Sequence, residues 1–503
     1  MDTLRQLTEL VTKNKLKSIE LLDTSKTPKS LLTQLYEGIA DGQFADDQEA
    51  ADFFYPDKNP ALYRKLKNKL RRRLVNALLL IDVKKASYSD RKSAYYECYK
   101  EWAAVRVLLA KNAWTACVEI AERILKYAIK FDFTELTLDL IGILRLHYGT
   151  RLGDLKKFEE YKKLYLHYEA VFLAENKAEL LYTELVVHYV NNKSTKTELR
   201  DQALEALGNL STSLDQYSSY RLHLYGSMIR LMISSIINNH AQTIQTCNDI
   251  ITFFEKKPYR AETPLQAAYY QKLVCHCQLK EFTPGQAAAK KCLELIEEGT
   301  VNWFKYYEMY FILAMHTGNY AEAAKAFSRV NSHKGFSYLP DNTREIWLIY
   351  QAYLHLIAEK GLLSKELATE VGSKQFKPGK FLNEVEIYAR DKSGMNIPII
   401  VFQLVYFILQ GRTDQIIDRL DAIRKYCARH LDDDTTTRSF YFIKALLLRA
   451  QSVVGNEEKR EKAEDYLKKV TQIQADEDQQ LYQIEIIPYE KLWNMLETQQ
   501  SLN

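Results

Sequence analysis

A turn signal recurs along this chain at a nearly constant spacing, and this spacing restricts the fold more than any other feature. From residue 112 onwards, glycine, asparagine or a polar cluster interrupts the hydrophobic pattern about every 42 residues. Between the interruptions, apolar residues recur at helical spacing, so each interval predicts two helices of about 18 residues. Such hairpins cannot bury their apolar faces alone, and they therefore stack on one another. The predicted turns lie at Asn112, Gly153, 192–196, Asn239, Glu281, Gly318, Gly361, Gly411 and Gly455.

The stretch 306–330 shows this unit most clearly. Tyr306 and Tyr310 are one helical turn apart, so they share a face of the first predicted helix. Gly318 is predicted to end that helix in the left-handed conformation. Asn319 is predicted to cap the next helix by accepting a backbone N–H bond. The second helix then carries small alanines where two helices approach each other closely.

The residues after this turn resemble the tetratricopeptide repeat, whose core pattern is G-[DN]-Y-x2-A-x3-[YF]. The matching residues here are Gly318, Asn319, Tyr320, Ala323 and Phe327. The chain departs from the family at Phe311, where the family has a small residue, and at Gly335, near the position of its closing proline. The resemblance implies an all-α, right-handed α-solenoid of about eight or nine stacked hairpins that presents a groove to a peptide or protein.

Composition agrees with a long helical chain. Only 17 glycines and 10 prolines occur among 503 residues, which is few for a β protein with many turns. A hydrophobic content of 47% with 27% charged residues is typical of a globular chain. The net charge of +4 argues against a globally basic nucleic-acid binder, although it leaves room for a local basic patch.

The sequence predicts a cytoplasmic protein without a membrane segment. The first residues, MDTLRQLTELVTKNK, lack the apolar core of a signal peptide. The most apolar run, at 397–409, is too short to cross a bilayer. The seven cysteines are scattered and odd in number, which suits a reducing compartment better than a disulfide framework.

Residues 1–90 are predicted to form a separate helical module that ends in a long basic helix. Asn59 and Pro60 give this helix a strong start signal. Its predicted apolar seam is Leu62, Leu66, Leu70, Leu74, Leu78 and Ile81. Its other faces carry the candidate patch Arg64, Lys65, Lys67, Lys69, Arg71, Arg72 and Arg73. This patch has three interpretations: contact with nucleic acid through a helix-turn-helix-like module, contact with an acidic protein, or a solvated and internally paired face.

Residues 91–360 are predicted to hold helical repeats, and 399–503 to hold the last repeats and a polar cap. Between them, 361–398 disturb the period and read as an insertion rich in helix-breaking residues. The insertion is interpreted either as a plain surface loop or as a binding surface. Its candidate contacts are Lys374, Lys377, Lys380, Arg390 and Lys392.

The sequence contains no recognisable catalytic motif, phosphate-binding loop or zinc-binding pattern. Cys275, His276 and Cys277 are adjacent on a predicted helix, where neighbouring side chains point about 100° apart and do not converge on one ion. We therefore expect no cofactor, no metal and no enzymatic activity.

The 34 tyrosines are interpreted either as wide helix seams or as the lining of an aromatic groove. The groove interpretation places Tyr269, Tyr306, Tyr307 and Tyr310 on the inner, first-helix face of the repeats. The preferred functional prediction is a non-enzymatic scaffold or adaptor that binds a protein or peptide. The alternative is a nucleic-acid-binding regulator with a basic N-terminal module and a recruiting solenoid. Self-association of the long helices stays open as well.

Overall fold

A computed structural model shows that the fold is all-α and built from helices packed on their neighbours, as predicted. The structure describes residues 1–13, 30–56, 60–79, 90–191, 195–236, 239–372, 375–384, 396–431, 437–452, 457–473 and 485–497. Within these ranges, the regular elements are helices throughout, and no helix is long and apolar enough to cross a membrane.

The chain divides into two compact units, and each is described by itself. The first unit comprises residues 1–174 and 258–260. Its helices are α1 (Asp2–Lys13), α2 (Leu31–Ala40), α3 (Asp47–Phe54), α4 (Pro60–Leu78), α5 (Asp90–Ala110), α6 (Trp114–Lys130), α7 (Thr134–Leu146) with a following π-helical turn (His147–Arg151), and the start of α8 (Leu155–Val190).

Helices α1 to α4 share a small hydrophobic core of their own. Leu4, Leu35, Leu70 and Leu74 are buried at its centre. The sequence offers Asp46 or Asp47 as the cap of α3, and the structure shows that Asp46 accepts the hydrogen bonds from the backbone amides of Gln48 and Glu49. This core fixes which side of α4 turns inward and which side stays exposed.

The second unit comprises residues 175–257 and 261–503. Besides the end of α8, its helices are α9 (Lys196–Gln216), α10 (Tyr220–Ile236), α11 (His240–Glu255), α12 (Glu262–Gln278), α13 (Phe282–Leu293), α14 (Val301–Thr317), α15 (Tyr320–Asn331), α16 (Asp341–Glu359), α17 (Lys365–Glu370), α18 (Pro378–Glu384), α19 (Asn396–Leu409), α20 (Thr413–His430), α21 (Thr437–Ser452), α22 (Glu457–Gln472) and α23 (Tyr489–Glu497).

In the second unit, consecutive hairpins stack in two rows. The first helices α12 and α14 pack against each other, as do α16 and α19 and then α19 and α21. The second helices α13, α15, α20 and α22 pack on their own partners and form the other row. Helix α14 therefore lies between α13 and α15, and one hydrophobic core extends from Leu273 to Leu496.

Five predicted turns have the left-handed backbone that such turns require. The φ angles are 57° at Asn112, 63° at Gly153, 83° at Gly318, 68° at Gly361 and 67° at Gly411. Four of the five residues are glycines, which adopt this conformation without a Cβ clash.

Of the other predicted turns, Glu281 directly precedes α13 and Asn239 directly precedes α11. The residue with positive φ beside Glu281 is Lys280, at 56°. A turn at Asp132, with a φ of 55°, was missed because no glycine marks it. Asn239 does cap α11, since its side chain accepts from the amide of Gln242. Gly455 and residues 192–194 lie outside the described part of the chain.

The prediction of two helices of about 18 residues between Gly153 and the 192–196 cluster was wrong. A single helix, α8, runs from Leu155 to Val190. Its sequence contains neither glycine nor proline, so nothing in it ends a helix. The spacing of turns alone does not show that one interval is spanned by a continuous helix.

The predicted cap at Asn319 was also wrong. The Asn319 side chain makes no capping bond to α15, and its amide nitrogen instead donates to Thr317 Oγ1 at 2.8 Å. The Asn319 backbone amide donates to the carbonyl of Ala314 at 2.8 Å and closes the end of α14. The Asn319 side chain therefore bonds back toward α14, and only its backbone carbonyl accepts from the first amides of α15.

Candidate functional site

An open groove lies between the second helices α13 and α15, and α14 forms its floor. Its volume is about 680 Å³. Helix α13 approaches α14 closely at Gly285, where an added Cβ atom would lie 2.7 Å from a methyl carbon of Leu313. The residues that line the groove are Thr283, Gln286, Ala287, Ala289, Lys290, Leu293, Tyr306, Tyr307, Tyr310, Glu322, Lys325, Ala326 and Arg329. We call this site the open groove.

Tyr310 connects the two walls of the open groove. Its hydroxyl accepts a hydrogen bond from Gln286 Nε2 on α13 at 2.9 Å and donates to Glu322 Oε2 on α15 at 3.0 Å. Lys325 Nζ donates to the other oxygen of Glu322 at 2.7 Å, and this bond lowers the pKa of the Glu322 carboxyl. Partial burial raises the pKa of Tyr310 to about 12. The chain of bonds orders the floor before any ligand binds.

Tyr306 and Tyr307 complete the floor. Tyr306 is only 3% exposed, and its ring stacks on Tyr310 with centroids 6.1 Å apart. The Tyr307 ring lies edge-on to Trp303 at 4.6 Å. Burial raises the pKa of both tyrosine hydroxyls, so both stay neutral at physiological pH. Tyr307 and Tyr310 remain half-buried and accessible from the groove.

The structure corrects the predicted tyrosine cluster in two respects. Tyr269 lies outside the open groove, where its hydroxyl donates to Glu255 Oε1 at 3.2 Å. The other three tyrosines belong to a first helix, but they point between the second helices α13 and α15. They therefore face the second-helix row rather than the first-helix face, because α14 turns this side toward its two neighbours.

The first-helix face of the last hairpins is covered by the chain's own residues 485–497, which we call the terminal segment. The Tyr489 ring of this segment stacks on the Phe442 ring of α21, with centroids 4.1 Å apart. The Arg449 guanidinium lies over Trp493 at 4.9 Å and donates to the carbonyl of Leu496 at 3.0 Å. Six of its side chains are 3% exposed or less, namely Ile486, Ile487, Tyr489, Leu492, Trp493 and Leu496.

A buried ion-pair network holds the start of the terminal segment. Arg438 of α21 donates to both oxygens of Glu485, at 3.0 and 3.1 Å, and to both oxygens of Glu490, at 2.7 and 2.8 Å. Burial opposes the charge on Arg438, but the two carboxylates outweigh it and raise the arginine pKa. The same contacts lower the pKa of Glu490 against its own burial.

The terminal segment also reaches back to α14. His316 Nε2 donates to the carbonyl of Glu485, a residue 169 positions further along the chain. Lys491 Nζ donates in turn to the carbonyl of His316 at 2.8 Å. Burial lowers the pKa of His316, since the protonated ring would lose its water in this site. From the sequence, Ile486, Leu492, Trp493 and Leu496 predict packing of this tail onto the last hairpin, and the structure adds the contact with α14.

The predicted apolar seam of α4 was partly wrong. Tyr63, Leu66, Leu70, Leu74 and Ala77 are the residues that this helix buries. Leu62 is 42% exposed, and Ile81 lies outside the described residues. Because an α-helix has 3.6 residues per turn, residues spaced by four gradually move around its surface. A straight neighbouring helix therefore contacts residues whose spacing is a mixture of three and four.

The opposite face of α4 carries most of the predicted basic patch. Among the residues that the structure describes, no acidic side chain pairs with the exposed cations Arg64, Lys65, Lys69, Arg71 and Arg72. Lys67 differs, because its Nζ contacts both oxygens of Asp47 at 2.7 Å. Burial opposes the charge on Asp47, but Lys67, the amino terminus and Tyr63 outweigh it and lower its pKa to about 2. Arg73 is half-buried and also interacts with another group of the protein.

The described part of the insertion contributes aromatic side chains to the core. Phe381 is buried and lies 5.4 Å from Phe402, and Phe376 packs 5.2 Å from His355. Lys377 lies directly before α18 and Lys380 lies in its first turn, and both side chains are exposed. The other predicted contacts, Lys374, Arg390 and Lys392, lie outside the described residues.

The cysteines have the character of packing residues. All seven are buried free thiols, and burial raises the pKa of each, to about 12 for Cys275 and Cys277. His276 lies between these two in sequence but bonds to Glu281 Oε2 at 2.9 Å. In the ranges that the structure describes, no group of histidine, cysteine and carboxylate side chains has the geometry to hold a metal ion.

Two features of the site were missed from the sequence. The walls of the open groove carry Glu322, Lys325 and Arg329 at a spacing that puts them on one face of α15, and this signal was present in the sequence. The apolar pattern of the terminal segment predicted packing onto the last hairpin, but not the contact with α14. Comparisons with models of protein families, with curated proteins and with solved structures found no match to this chain.

Proposed function

We propose that this chain is a non-enzymatic protein-interaction scaffold of tetratricopeptide-like repeats, and that the open groove holds a segment of its partner. The observation that carries this proposal is the groove itself. Its aromatic floor is ordered by the bonds of Tyr310 to Gln286 and Glu322, while Tyr307 and the wall residues remain accessible. A preformed concave site with a few fixed polar groups is typical of ligand recognition.

The terminal segment supports this proposal by analogy within the same molecule. It shows that hairpins of this chain hold a short peptide segment through buried apolar anchors and charged hydrogen bonds. Because it already covers the first-helix face of the last hairpins, a partner of that region is expected on the second-helix side. The ionisable groups of the open groove favour binding over catalysis. Glu322 has a lowered pKa and Tyr310 a pKa of about 12, and neither suits proton transfer near neutral pH.

A selection of displayed random peptides against the full-length chain tests the proposal. Ala287 is an exposed residue of α13 that lines the groove, so Ala287→Trp fills the groove without touching the core. Ala321 is exposed on α15 outside the groove, and Ala321→Trp is the matched control. We expect enriched peptides that bind the wild type and the control but not Ala287→Trp. Peptides that bind all three proteins equally would refute the groove as the interaction site.

A second function, nucleic-acid binding, is favoured by the exposed face of α4. Five cations lie on this face without an acidic partner among the described residues, and each phosphate contact would release counterions. Their helix buries its opposite face against α1 and α2, so among the described residues the basic side is exposed and can meet a phosphate backbone.

Titration of labelled duplex DNA and of RNA at low and moderate salt tests this second function. The informative variant is Arg71→Glu with Arg72→Glu, and Lys126→Glu with Lys163→Glu is a control at two exposed lysines elsewhere. If α4 contacts phosphate, only the first variant will bind nucleic acid more weakly. The slope of log K against log salt concentration will also become shallower by about 0.9 for each lost phosphate contact. Equal binding by both variants would exclude the basic face of α4.

A further inference from the structure

The rim of the open groove carries more positive than negative charge. Lys290 lines the α13 wall, and Lys325 and Arg329 line the α15 wall. The lining contains one carboxylate, Glu322, which is already bonded to Lys325 and Tyr310. A ligand therefore meets cations on both walls, whereas the carboxylate on the α15 wall is already paired with groups of the protein.

The cations on the rim are free to bind a ligand to different degrees. Lys290 is exposed, and within the described ranges no acidic side chain pairs with it. Arg329 donates to Glu298 at 2.8 Å, but both side chains are more than half exposed. Water competes with such an exposed pair, so exchange of Glu298 for a ligand carboxylate costs little. Lys290 and Arg329 are thus the two available charges on opposite walls.

The floor between these cations is apolar and aromatic. The half-buried rings of Tyr307 and Tyr310 form its accessible part, and Leu293 and Ala326 continue it at the two walls. The volume of about 680 Å³ accommodates a large apolar side chain together with its flanking backbone. The two available cations lie on opposite walls with this apolar floor between them, which suits an apolar side chain flanked by carboxylates better than a continuous phosphate backbone.

We infer, resting on the function proposed above, that the segment held in the open groove is an acidic peptide with an apolar anchor. The anchor side chain contacts Tyr307 and Tyr310. Carboxylates on either side of it contact Lys290 on one wall and Arg329 on the other. Tyr310 and Gln286 offer hydrogen-bonding groups to the peptide backbone at the floor.

Fluorescence anisotropy with three labelled probe peptides tests this inference. Each probe carries a central Phe-Leu pair, flanked by glutamates in the first, by glutamines in the second and by lysines in the third. We expect the glutamate probe to bind the full-length protein most tightly, with an affinity that falls as salt screens the exposed charges. Lys290→Glu is expected to weaken it about fivefold, as the charge at an exposed site is reversed.

Lys291→Glu is the matched control, because Lys291 is the exposed neighbour of Lys290 and does not line the groove. Equal effects of the two reversals would overturn the inference, as they would indicate general attraction to a basic surface. Displacement of the glutamate probe by single-stranded oligonucleotide would also overturn it and would favour a nucleic-acid ligand for the groove.

The outcomes separate this inference from the proposed function. If the glutamine or lysine probe binds as tightly as the glutamate probe, and Ala287→Trp abolishes that binding, the acidic ligand is refuted while the groove remains an interaction site. If the glutamate probe does not bind, or if Ala287→Trp leaves its binding unchanged, the inference fails. The displayed-peptide selection then decides the proposed function by itself.

Discussion

The second unit has two concave sides that differ in how far they are closed. On the first-helix side, the terminal segment buries six apolar side chains and places Glu485 and Glu490 against the buried Arg438. On the second-helix side, the open groove between α13 and α15 leaves its tyrosine floor half-buried and its cations at the rim exposed. Both sites combine aromatic side chains with charged groups, and among the described residues only the first site has an occupant from the chain itself.

The two sites differ in burial rather than in residue type. Burial therefore distinguishes a structural contact from a site that a ligand can reach. An ion pair that lost its water cannot be broken cheaply, because an unpaired charge would remain inside. The Arg329–Glu298 pair at the groove is hydrated and exchanges at little cost. Substitutions at the closed side should therefore change folding, while substitutions at the open side should change binding.

Removal of the terminal segment is expected to have the largest effect. Each fully buried apolar side chain contributes roughly 1.5–3 kcal/mol, so the loss of six rivals the stability of a whole domain, about 5–15 kcal/mol. A chain ending at residue 484 should lose amide protection in α19 and α21, as followed by hydrogen exchange. Helices α5 to α7 of the first unit serve as the internal control. Retained protection in α21 would show that the segment is an accessory rather than part of the core.

Arg438→Met should have the next largest effect. It leaves the carboxylates of Glu485 and Glu490 without their buried partner, and such a loss typically costs about 3–5 kcal/mol. Chemical denaturation measures the change in the free energy of unfolding. Adding Glu485→Gln should restore part of it, since the amide removes one of the unpaired charges. A cost below about 1 kcal/mol for Arg438→Met would mean that the network is hydrated.

The contact at His316 should make the closed side sensitive to acid. Burial lowers the pKa of His316 below its usual 6.5, so the unfolded chain binds the proton more readily than the folded chain. Its stabilising contribution is present above 6.5 and is lost as the pH falls. The carbonyl and carboxylate of Glu485 oppose this shift, and Lys280 and Lys491 favour it. Between about pH 7 and pH 5, the free energy of unfolding of His316→Gln should therefore fall less than that of the wild type. Equal slopes for wild type and variant would contradict this assignment.

Tyr310→Phe should have the smallest effect on folding. It removes one hydroxyl that bonds to Gln286 and Glu322 at a half-buried site, which costs about 0.5–1.5 kcal/mol. Tyr269→Phe is the matched control, because the Tyr269 hydroxyl makes a single, longer bond of 3.2 Å to Glu255 outside the groove. Thermal unfolding measures both variants. A larger loss of stability for Tyr269→Phe than for Tyr310→Phe would contradict the assignment of Tyr310 as the residue that orders the floor.

Local rules in the sequence were sufficient for much of the fold. Gly318 and Gly361 adopt the left-handed turns that their position between two helical patterns predicted. Asp46 caps α3 for the same reason, since a cap depends on backbone amides two or three residues away. The absence of glycine and proline in 155–190 would also have predicted the continuous helix α8, had it been weighed against the turn spacing.

Contacts between residues distant in the sequence could not be predicted in this way. Lys67 belongs to a uniformly basic helix, and only packing of α3 on α4 places Asp47 against it. Likewise, the apolar pattern of 485–497 predicted burial, but not that Glu485 meets His316, 169 residues earlier. Helical periodicity describes which side of a helix is apolar, and it carries no information about which other helix covers that side.

By itself, the sequence determined the helical hairpins, their turns and the all-α class, because these depend on interactions within a few residues. Only the tertiary structure decided which face of the hairpins is filled and which is open. That decision rests on the position of the terminal segment beneath α14, α19 and α21 and on the gap between α13 and α15. Both arise from the stacking of whole hairpins, where free energy depends on shape and burial between distant parts of the chain.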